Sequence, residues 1–136
     1  MSHDTREADI GAAASSVSPW TAYRAGLADG RLLYQRCTAC TRAQFYPRVL
    51  CAHCGGTALS WQQSAGAGVV HATSSVPERD AAPRNVALVD LDEGFRMMSR
   101  VTGAPSESVR IGAAVRARIV DEDGEPVVVF ELRSAA

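Results

Sequence analysis

The sequence CTACTRAQFYPRVLCAHC, residues 37–54, contains two Cys-x-x-Cys pairs, and ten residues separate the pairs. All four cysteines of the 136-residue chain lie in this stretch: Cys37, Cys40, Cys51 and Cys54. Each pair can hold one side of a metal ion, and two pairs complete a tetrahedral thiolate site. Such a site has no open coordination position, so it supports structure and does not activate water. The pattern therefore predicts a structural metal and argues against metal catalysis.

Two disulfide bridges and a redox Cys-x-x-Cys are the alternatives to a metal site. Disulfides belong to oxidising compartments, and residues 1–10 are charged and lack the apolar core of a signal peptide. No run of about 18 apolar residues is present, so we expect a cytoplasmic chain without a membrane span. A redox motif needs only one of the two pairs, and paired motifs in a cytoplasmic protein favour metal. Zinc is the expected metal, and a rubredoxin-type iron is the alternative that spacing alone leaves open.

Residues 1–17 are polar, small and aperiodic, which predicts a flexible tail. Ser18 and Pro19 are typical of an N-cap followed by proline at the first helical position, and Gly30 marks a plausible end of the helix. Three apolar side chains share one helical face: Trp20, Tyr23 and Leu27. A helix this short is marginal alone in water. Its aromatic face must therefore pack either on its own domain or on a partner protein.

The cysteine segment is predicted to form a ribbon within a unit at 18–60. Residues 32–36 are expected to enter the first metal knuckle as a strand, and residues 44–47 return toward the second. A segment this small cannot build a core of its own and depends on its metal. Four arginines crowd the ribbon: Arg31, Arg36, Arg42 and Arg48. They are either solvated surface charges or a site for phosphate or an acidic partner surface.

From Trp61 onward the apolar pattern changes to the alternation of β-strands. Five short antiparallel strands are predicted, at 68–76, 85–91, 95–102, 113–120 and 126–133. They suit a small Greek-key barrel such as the OB-fold over 61–136, with a long connection between its third and fourth strands. Within strands, period-2 spacing groups side chains onto common faces. The groups are Phe95, Met97, Ser99 and Val101, then Val115, Ala117 and Ile119, then Val128, Phe130 and Leu132.

Catalytic chemistry has little support in the sequence. His53 lies inside a knuckle and is interpreted as a filler, and His71 on the first barrel strand is interpreted as structural. The chain contains no lysine, which removes Schiff-base chemistry. No nucleophile elbow, phosphate-binding loop or dinucleotide fingerprint is present.

Nucleic-acid binding by the ribbon and barrel is the alternative function. Two pairs of arginines, each on one strand face, would form a basic patch if the strands were adjacent: Arg96 with Arg100, and Arg116 with Arg118. OB-fold readers of single strands usually stack bases on exposed aromatic side chains, and the barrel offers only Trp61 and Phe95. The net charge of −1 gives no bulk attraction to nucleic acid. Nucleic acid is therefore not the expected partner.

The order of these elements is similar to a known family. A short aromatic helix precedes Gly30-Arg31-Leu32, the first Cys-x-x-Cys, Phe45-Tyr46-Pro47-Arg48, the second Cys-x-x-Cys and a barrel pattern. This resembles the family long called domain of unknown function 35, a rubredoxin-like zinc ribbon fused to an OB-fold, over residues 18–133. The fold expected from the resemblance is mostly β, with a short N-terminal helix and zinc ribbon followed by a five-stranded OB-fold barrel.

The resemblance implies a non-catalytic accessory subunit that binds and stabilises a thiolase-like partner. It implies structural zinc, a hetero-oligomer (two-plus-two by analogy with dimeric thiolases), and an acyl-CoA substrate for thiolytic, acetyl-transfer or retro-aldol cleavage in steroid side-chain or aromatic degradation. The catalytic residues would belong to the partner, and this chain would help to form the CoA or acyl channel. The expected partner interface comprises Trp20, Tyr23, Leu27, Phe45, Tyr46 and Arg48. The candidate contacts to CoA phosphates are Arg31, Arg36 and Arg42.

Overall fold

The structure is a computed structural model that describes residues 18–133, so the predicted tail at 1–17 lies outside the described residues. The described chain is mostly β and divides into two units, one up to Ser64 and one from Ala65. Within residues 18–133, no helix is long and apolar enough to cross a membrane. The first unit contains the short helix and the cysteine ribbon, and the second contains the barrel strands.

Helix α1 spans Pro19–Ala28, and the Ser18 hydroxyl caps it by accepting a hydrogen bond from the Thr21 amide at 3.1 Å. One face of the helix is buried within the first unit: Ala22, Tyr23, Gly26 and Leu27. A Cβ at Gly26 would lie 2.5 Å from a methyl carbon of Leu33, so a larger residue here would force the Leu33 side chain to move. The helix therefore packs on its own domain, as one of the two interpretations of its aromatic face expects.

The ribbon is a three-stranded antiparallel sheet in the order β2-β1-β3. Its strands are β1 (Leu33–Cys37), β2 (Ala43–Gln44) and β3 (Leu59–Gln63). Trp61, predicted as the first residue of the barrel, lies instead in β3, opposite Gln35 of β1. Of the segment that returns toward the second knuckle, Gln44 pairs with β1, and the backbone of Arg48 beyond the segment bonds to the buried Gln35 side chain.

The second unit is a six-stranded sheet in the order β6-β5-β4-β8-β9-β7. Its strands are β4 (Ala67–Glu78), β5 (Ala81–Leu91), β6 (Arg96–Ser99), β7 (Val101–Thr102), β8 (Ala114–Glu122) and β9 (Glu125–Leu132). Because β6 and β7 are separated only by Arg100, they correspond to the single strand predicted at 95–102, and the barrel has the five strands of an OB-fold. A 3₁₀ turn at Ser106–Ser108 lies in the long connection before β8.

The third barrel strand breaks where it changes partner. β6 pairs with β5, whereas β7 pairs with β9, and that second pairing is parallel, with Val101 opposite Phe130. The prediction of purely antiparallel strands is therefore wrong at this one pairing. The physical reason is closure, because the barrel is completed only when the end of its third strand lies beside the last strand.

The barrel interior follows most of the predicted faces. The largest fully buried side chains of this unit are Val70, Val89, Val115, Val129 and Phe130. Phe95, Met97 and Val101 are buried as their spacing predicts. Leu132, however, is 39% exposed because it is the last residue of β9, and Val129 is buried although it was not in the predicted set. Both faces of β9 are covered at Val129 and Phe130.

Buried Asn85 holds the strand break in place. Its side-chain oxygen accepts the Val101 amide at 2.9 Å, and its nitrogen donates to the Thr73 hydroxyl at 2.8 Å and to the Ser106 hydroxyl at 3.2 Å. One side chain thereby links β5 to β4, to β7 and to the 3₁₀ turn. At β7, the Asn85 oxygen is the acceptor for the Val101 amide that a neighbouring strand would otherwise provide.

We predict that Asn85→Ala lowers the free energy of unfolding by about 1–3 kcal/mol, since buried donors and acceptors are then left unpaired. Urea denaturation of the full chain measures the change. Arg84→Ala, at the exposed neighbour on the same strand, is the control and should shift stability by less than about 0.5 kcal/mol. Equal effects of the two substitutions would contradict the assigned role of Asn85.

Candidate metal centre

The four cysteine sulfurs converge on one point of the ribbon. All four Sγ atoms lie within 4.8 Å of one another. Cys37 at the end of β1 faces Cys54 at 3.7 Å, and Cys40 faces Cys51 at 3.6 Å, so each short distance joins one knuckle to the other. Cys37 and Cys51 are buried, whereas Cys54 is exposed.

These distances fit a tetrahedral metal site. A Zn–S bond of about 2.3 Å places the sulfurs of a regular tetrahedron about 3.8 Å apart. A disulfide requires about 2.05 Å between sulfurs, and all four cysteines are free thiols, so the two-bridge alternative does not fit. Four sulfurs in a tetrahedron suit zinc or a rubredoxin-type iron. The donor set therefore supports one structural metal held by the four predicted residues.

Backbone amides favour the thiolate form of Cys37 and Cys51. The Cys40 amide donates to the Cys37 sulfur at 3.4 Å, and the amides of His53 and Cys54 donate to the Cys51 sulfur at 3.3 and 3.5 Å. The Cys54 amide is the main cause that lowers the pKa of Cys51 to about 6, with His53 adding to it against the opposing effect of burial. The same kind of bond, from Cys40, lowers the pKa of Cys37. Thiolate is the form that binds metal.

The two knuckles have the same backbone geometry. Thr41 and Gly55, each four residues after the first cysteine of its pair, have positive φ values of 68° and 77°. Each donates its amide to the carbonyl of that cysteine, at 2.8 and 2.9 Å. Glycine adopts this conformation without strain, which explains Gly55, whereas Thr41 adopts it despite its side chain.

His53 packs beside the cluster and is not among its four ligands. Its Nε2 lies 3.3 Å from the Ala43 carbonyl, and its Nδ1 lies 3.4 Å from the Arg42 guanidinium. Both ring nitrogens therefore lie near polar groups of the ribbon. The ring therefore ties the second knuckle to β2, as the interpretation of His53 as a filler expects.

A pair of buried glutamines, which sequence reasoning missed, holds the loop before the second knuckle. Gln35 bonds both the amide and the carbonyl of Arg48, at 2.9 and 2.8 Å, and its oxygen also accepts from Gln44 at 2.9 Å. Gln44 in turn accepts the Ala52 amide at 2.7 Å. The only sequence signal is that Gln35 alternates with Leu33 and Cys37 on the buried face of β1. The loop at 47–52 is thereby fixed to β1 and β2.

The aromatic residues of the predicted interface lie together but differ in exposure. Trp20 stacks on Tyr46 with ring centroids 6.0 Å apart, and Tyr23 meets Phe45 edge-on at 5.3 Å. Trp20 is 47% and Tyr46 is 63% exposed. Tyr23 is buried, and burial raises its pKa to about 12. The two other residues of the predicted interface also differ in exposure, since Leu27 is buried and Arg48 is exposed.

The ribbon arginines proposed for phosphate contacts have different environments. Arg36 donates to the Thr41 carbonyl at 2.7 Å and to the Gln62 side chain at 3.2 Å, so it stabilises the ribbon itself. Arg42 is exposed and contacts His53. The Nε of Arg31 is buried and has no hydrogen-bond partner among residues 18–133.

The barrel arginines do not form the predicted basic patch. Arg96 lies on β6, which β5 and β4 separate from β8 in the sheet, whereas Arg100 follows β6 and pairs with Glu122 of β8. Three of the four arginines pair with carboxylates: Arg96 with Asp90 at 2.6 Å, Arg118 with Glu131 at 2.7 Å, and Arg100 with Glu122. The Arg96 hydrogen bond is also the main cause that lowers the pKa of Asp90.

His71 occupies an irregular position on β4. The pairing of β4 with β5 shifts register between Val70 and Ala72, and His71 is the residue in between. Its Nδ1 lies 3.5 Å from Asp90, and its side chain is 46% exposed. The residue therefore belongs to an exposed polar cluster with Asp90 and Arg96.

Family models cover both units. The model described as the ChsH2 rubredoxin-like zinc ribbon domain matches residues 24–60, and the ChsH2 C-terminal OB-fold domain matches residues 61–120. A solved structure described as "Ltp2-ChsH2(DUF35) aldolase" superposes with a TM-score of 0.74 at 26% identity, covering 85% of this chain and 95% of the other.

Curated relatives carry subunit or scaffold names. A DUF35 domain-containing scaffold protein of Methanothermobacter thermautotrophicus is 31% identical over 69% of this chain and 77% of its own. A probable enoyl-CoA hydratase alpha subunit of Thermomonospora curvata is 33% identical over 70% of this chain. The chain spans only 31% of that relative's length. The 3-oxo-4,17-pregnadiene-20-carboxyl-CoA hydratase alpha subunit of Mycobacterium tuberculosis is 45% identical over 39% of this chain and 17% of its own.

We predict that the purified chain carries about one zinc ion and that Cys37→Ser loses it, because one of four ligands is removed. Structural zinc contributes on the order of 10 kcal/mol to folding, so the ribbon should unfold with the loss. Elemental analysis and hydrogen exchange of the β1 amides measure the two effects. Ala39→Ser, inside the same knuckle, is the control and should retain metal and protection. A metal-free preparation with protected β1 amides would contradict the site.

Proposed function

Because the chain belongs to the DUF35 family, which joins a rubredoxin-like zinc ribbon to an OB-fold, we propose that it is a non-catalytic accessory subunit. In this proposal it binds and stabilises a thiolase-like partner that acts on acyl-CoA. The observation that carries the proposal is the similar solved structure, in which a DUF35 chain is described together with Ltp2 as an aldolase. This chain covers 95% of the matched chain of that structure, which supports a similar role for its two units.

The distribution of reactive groups supports a non-catalytic role. The sequence has four cysteines and no lysine. All four thiols belong to the metal cluster, where they have no freedom to attack a thioester. A thiolytic or acyl-transfer step needs an activated nucleophile with a neighbouring base. The proposal therefore assigns the nucleophile and base to the partner.

The proposed reaction class is thiolytic, acetyl-transfer or retro-aldol cleavage of an acyl-CoA. The description of the structural neighbour as an aldolase favours retro-aldol cleavage among these. The CoA-linked steroid named for the Mycobacterium tuberculosis relative favours the degradation of steroid side chains, with aromatic compounds as the other substrate class. The proposal further includes zinc as the metal, a cytoplasmic location and a hetero-oligomer with two copies of each subunit.

The proposed help in forming the CoA channel depends on the ribbon arginines. Arg42 is the best placed for a CoA phosphate, because it is exposed and its side-chain contact is to the His53 ring and not to a carboxylate. Arg31 offers a buried donor without a partner in the described chain. Arg36 is the weakest candidate, since its donors already bond within the ribbon. Binding to nucleic acid has less support, because three of the four barrel arginines pair with carboxylates.

If a thiolase-like protein is encoded beside this chain, co-expression of the two tests the proposal. We expect the two proteins to co-elute in size-exclusion chromatography, with about one zinc per chain of this protein. An unrelated thiolase is the control and should elute separately. A stable, zinc-loaded chain that elutes without the neighbouring thiolase-like protein would overturn the proposal, and salt-dependent binding to oligonucleotides would then support the alternative.

A further inference from the structure

We infer that the partner docks on an apolar groove of the ribbon unit and that its docking element is an apolar segment flanked by carboxylates. This inference rests on the proposed function and specifies which surface the accessory subunit uses. The groove, here called the ribbon groove, has a volume of about 510 Å³ and lies within the first unit. Its lining includes Pro19, Pro47, Arg48, Val49, Leu50 and Ala52.

Large apolar side chains are exposed in and beside the groove. Val49 is 70% and Leu50 is 51% exposed, although both are aliphatic and neighbours in sequence. Pro19 and Pro47, which line the groove, directly adjoin Trp20 and Tyr46, whose stacked rings are also exposed. Single exposed apolar residues are ordinary on protein surfaces, whereas a contiguous group of this kind marks an interaction site.

The two buried glutamines fix the loop that exposes Val49 and Leu50. Gln35 binds the backbone of Arg48 on one side of Val49 and Leu50, and Gln44 binds the Ala52 amide on the other. Gln35 is 3% and Gln44 is 7% exposed, and burying such polar groups is tolerated only when they are hydrogen-bonded. The loop therefore has a defined conformation that presents Val49 and Leu50 to solvent, and it needs little further ordering when a partner binds.

The charge of the ribbon unit identifies the chemistry of the occupant. Residues 18–64 contain five arginines, at positions 24, 31, 36, 42 and 48, and a single carboxylate, Asp29. Arg48 itself lines the groove. The same face of a second copy would be repelled by this excess of positive charge, whereas carboxylates around an apolar segment would be attracted.

The inference revises the interface expected from the sequence. Tyr23 and Leu27 are buried within the unit and so lie behind the surface. Trp20, Tyr46 and Arg48 remain part of it. Two residues that the sequence did not single out, Val49 and Leu50, join them.

Aspartate substitutions test the groove in the co-expression complex. Leu50→Asp and Val49→Asp should each weaken binding to the thiolase-like protein at least about tenfold, because a charge would enter the apolar centre of the contact. Met98→Asp and Ile111→Asp are matched controls on the barrel, at side chains that are 68% and 71% exposed, and should bind as the wild type does. Affinity is measured by titration, with zinc content and circular dichroism confirming that every variant is folded.

The outcomes separate this inference from the function on which it rests. If the wild-type chain binds and the groove variants bind equally well, the inference is overturned while the proposed function stands. If the wild-type chain does not bind, both fail. A wild-type dimer that Leu50→Asp dissociates would assign the groove to a second copy. That result overturns the inference.

Arg48→Glu tests the charge of the occupant. We expect at least about tenfold weaker binding at about 50 mM NaCl, and a much smaller difference at about 500 mM, because salt screens exposed charges. Arg110→Glu on the barrel is the control for the change in net charge and should have little effect. Equal effects of the two reversals, or no dependence on salt, would contradict carboxylates at the docking element.

Discussion

The convergence of four cysteine sulfurs is the constraint on which the ribbon unit depends. Its strands are short, with only two residues in β2, and hydrogen bonds in so small a sheet cannot offset the conformational entropy of the knuckles and loops. A metal held by Cys37, Cys40, Cys51 and Cys54 ties the end of β1 to the second knuckle. The loop at 47–52 ends at one of these ligands, so its conformation depends on the cluster as well as on the buried glutamines.

The barrel is stabilised in a different way, because it has an apolar core of its own. Its difficulty is closure, which requires the third strand to leave β5 and join β9. At that point the ladder lacks a partner, and the Asn85 side chain supplies the missing acceptor to the Val101 amide. A buried polar network is stabilising only when its members are satisfied, and the hydroxyls of Thr73 and Ser106 satisfy the amide nitrogen of Asn85.

Features with a local signal could be predicted from the sequence. Cysteine spacing indicated the cluster, period-2 alternation indicated the barrel strands, and Ser18-Pro19 indicated the start of α1. Features that depend on residues far apart in the chain could not. β3 was missed because it exists only through pairing with β1 across the whole ribbon, and the parallel pairing of β7 with β9 follows from closure. Gln35 and Gln44 were missed because a buried glutamine has no signature of its own until its distant partners are known.

The division between buried and exposed aromatic residues connects the fold to the proposed role. The apolar face of α1 could pack entirely within its own domain or entirely against a partner. In the structure Tyr23 and Leu27 are buried within the domain, whereas Trp20 stacks on Tyr46 at the surface. An accessory subunit gains from this arrangement, because a preorganised surface loses little entropy when it binds. The four thiols form the metal cluster that stabilises the ribbon carrying that surface. In the proposed complex, therefore, the partner supplies the chemistry and this chain supplies a rigid, positively charged apolar face.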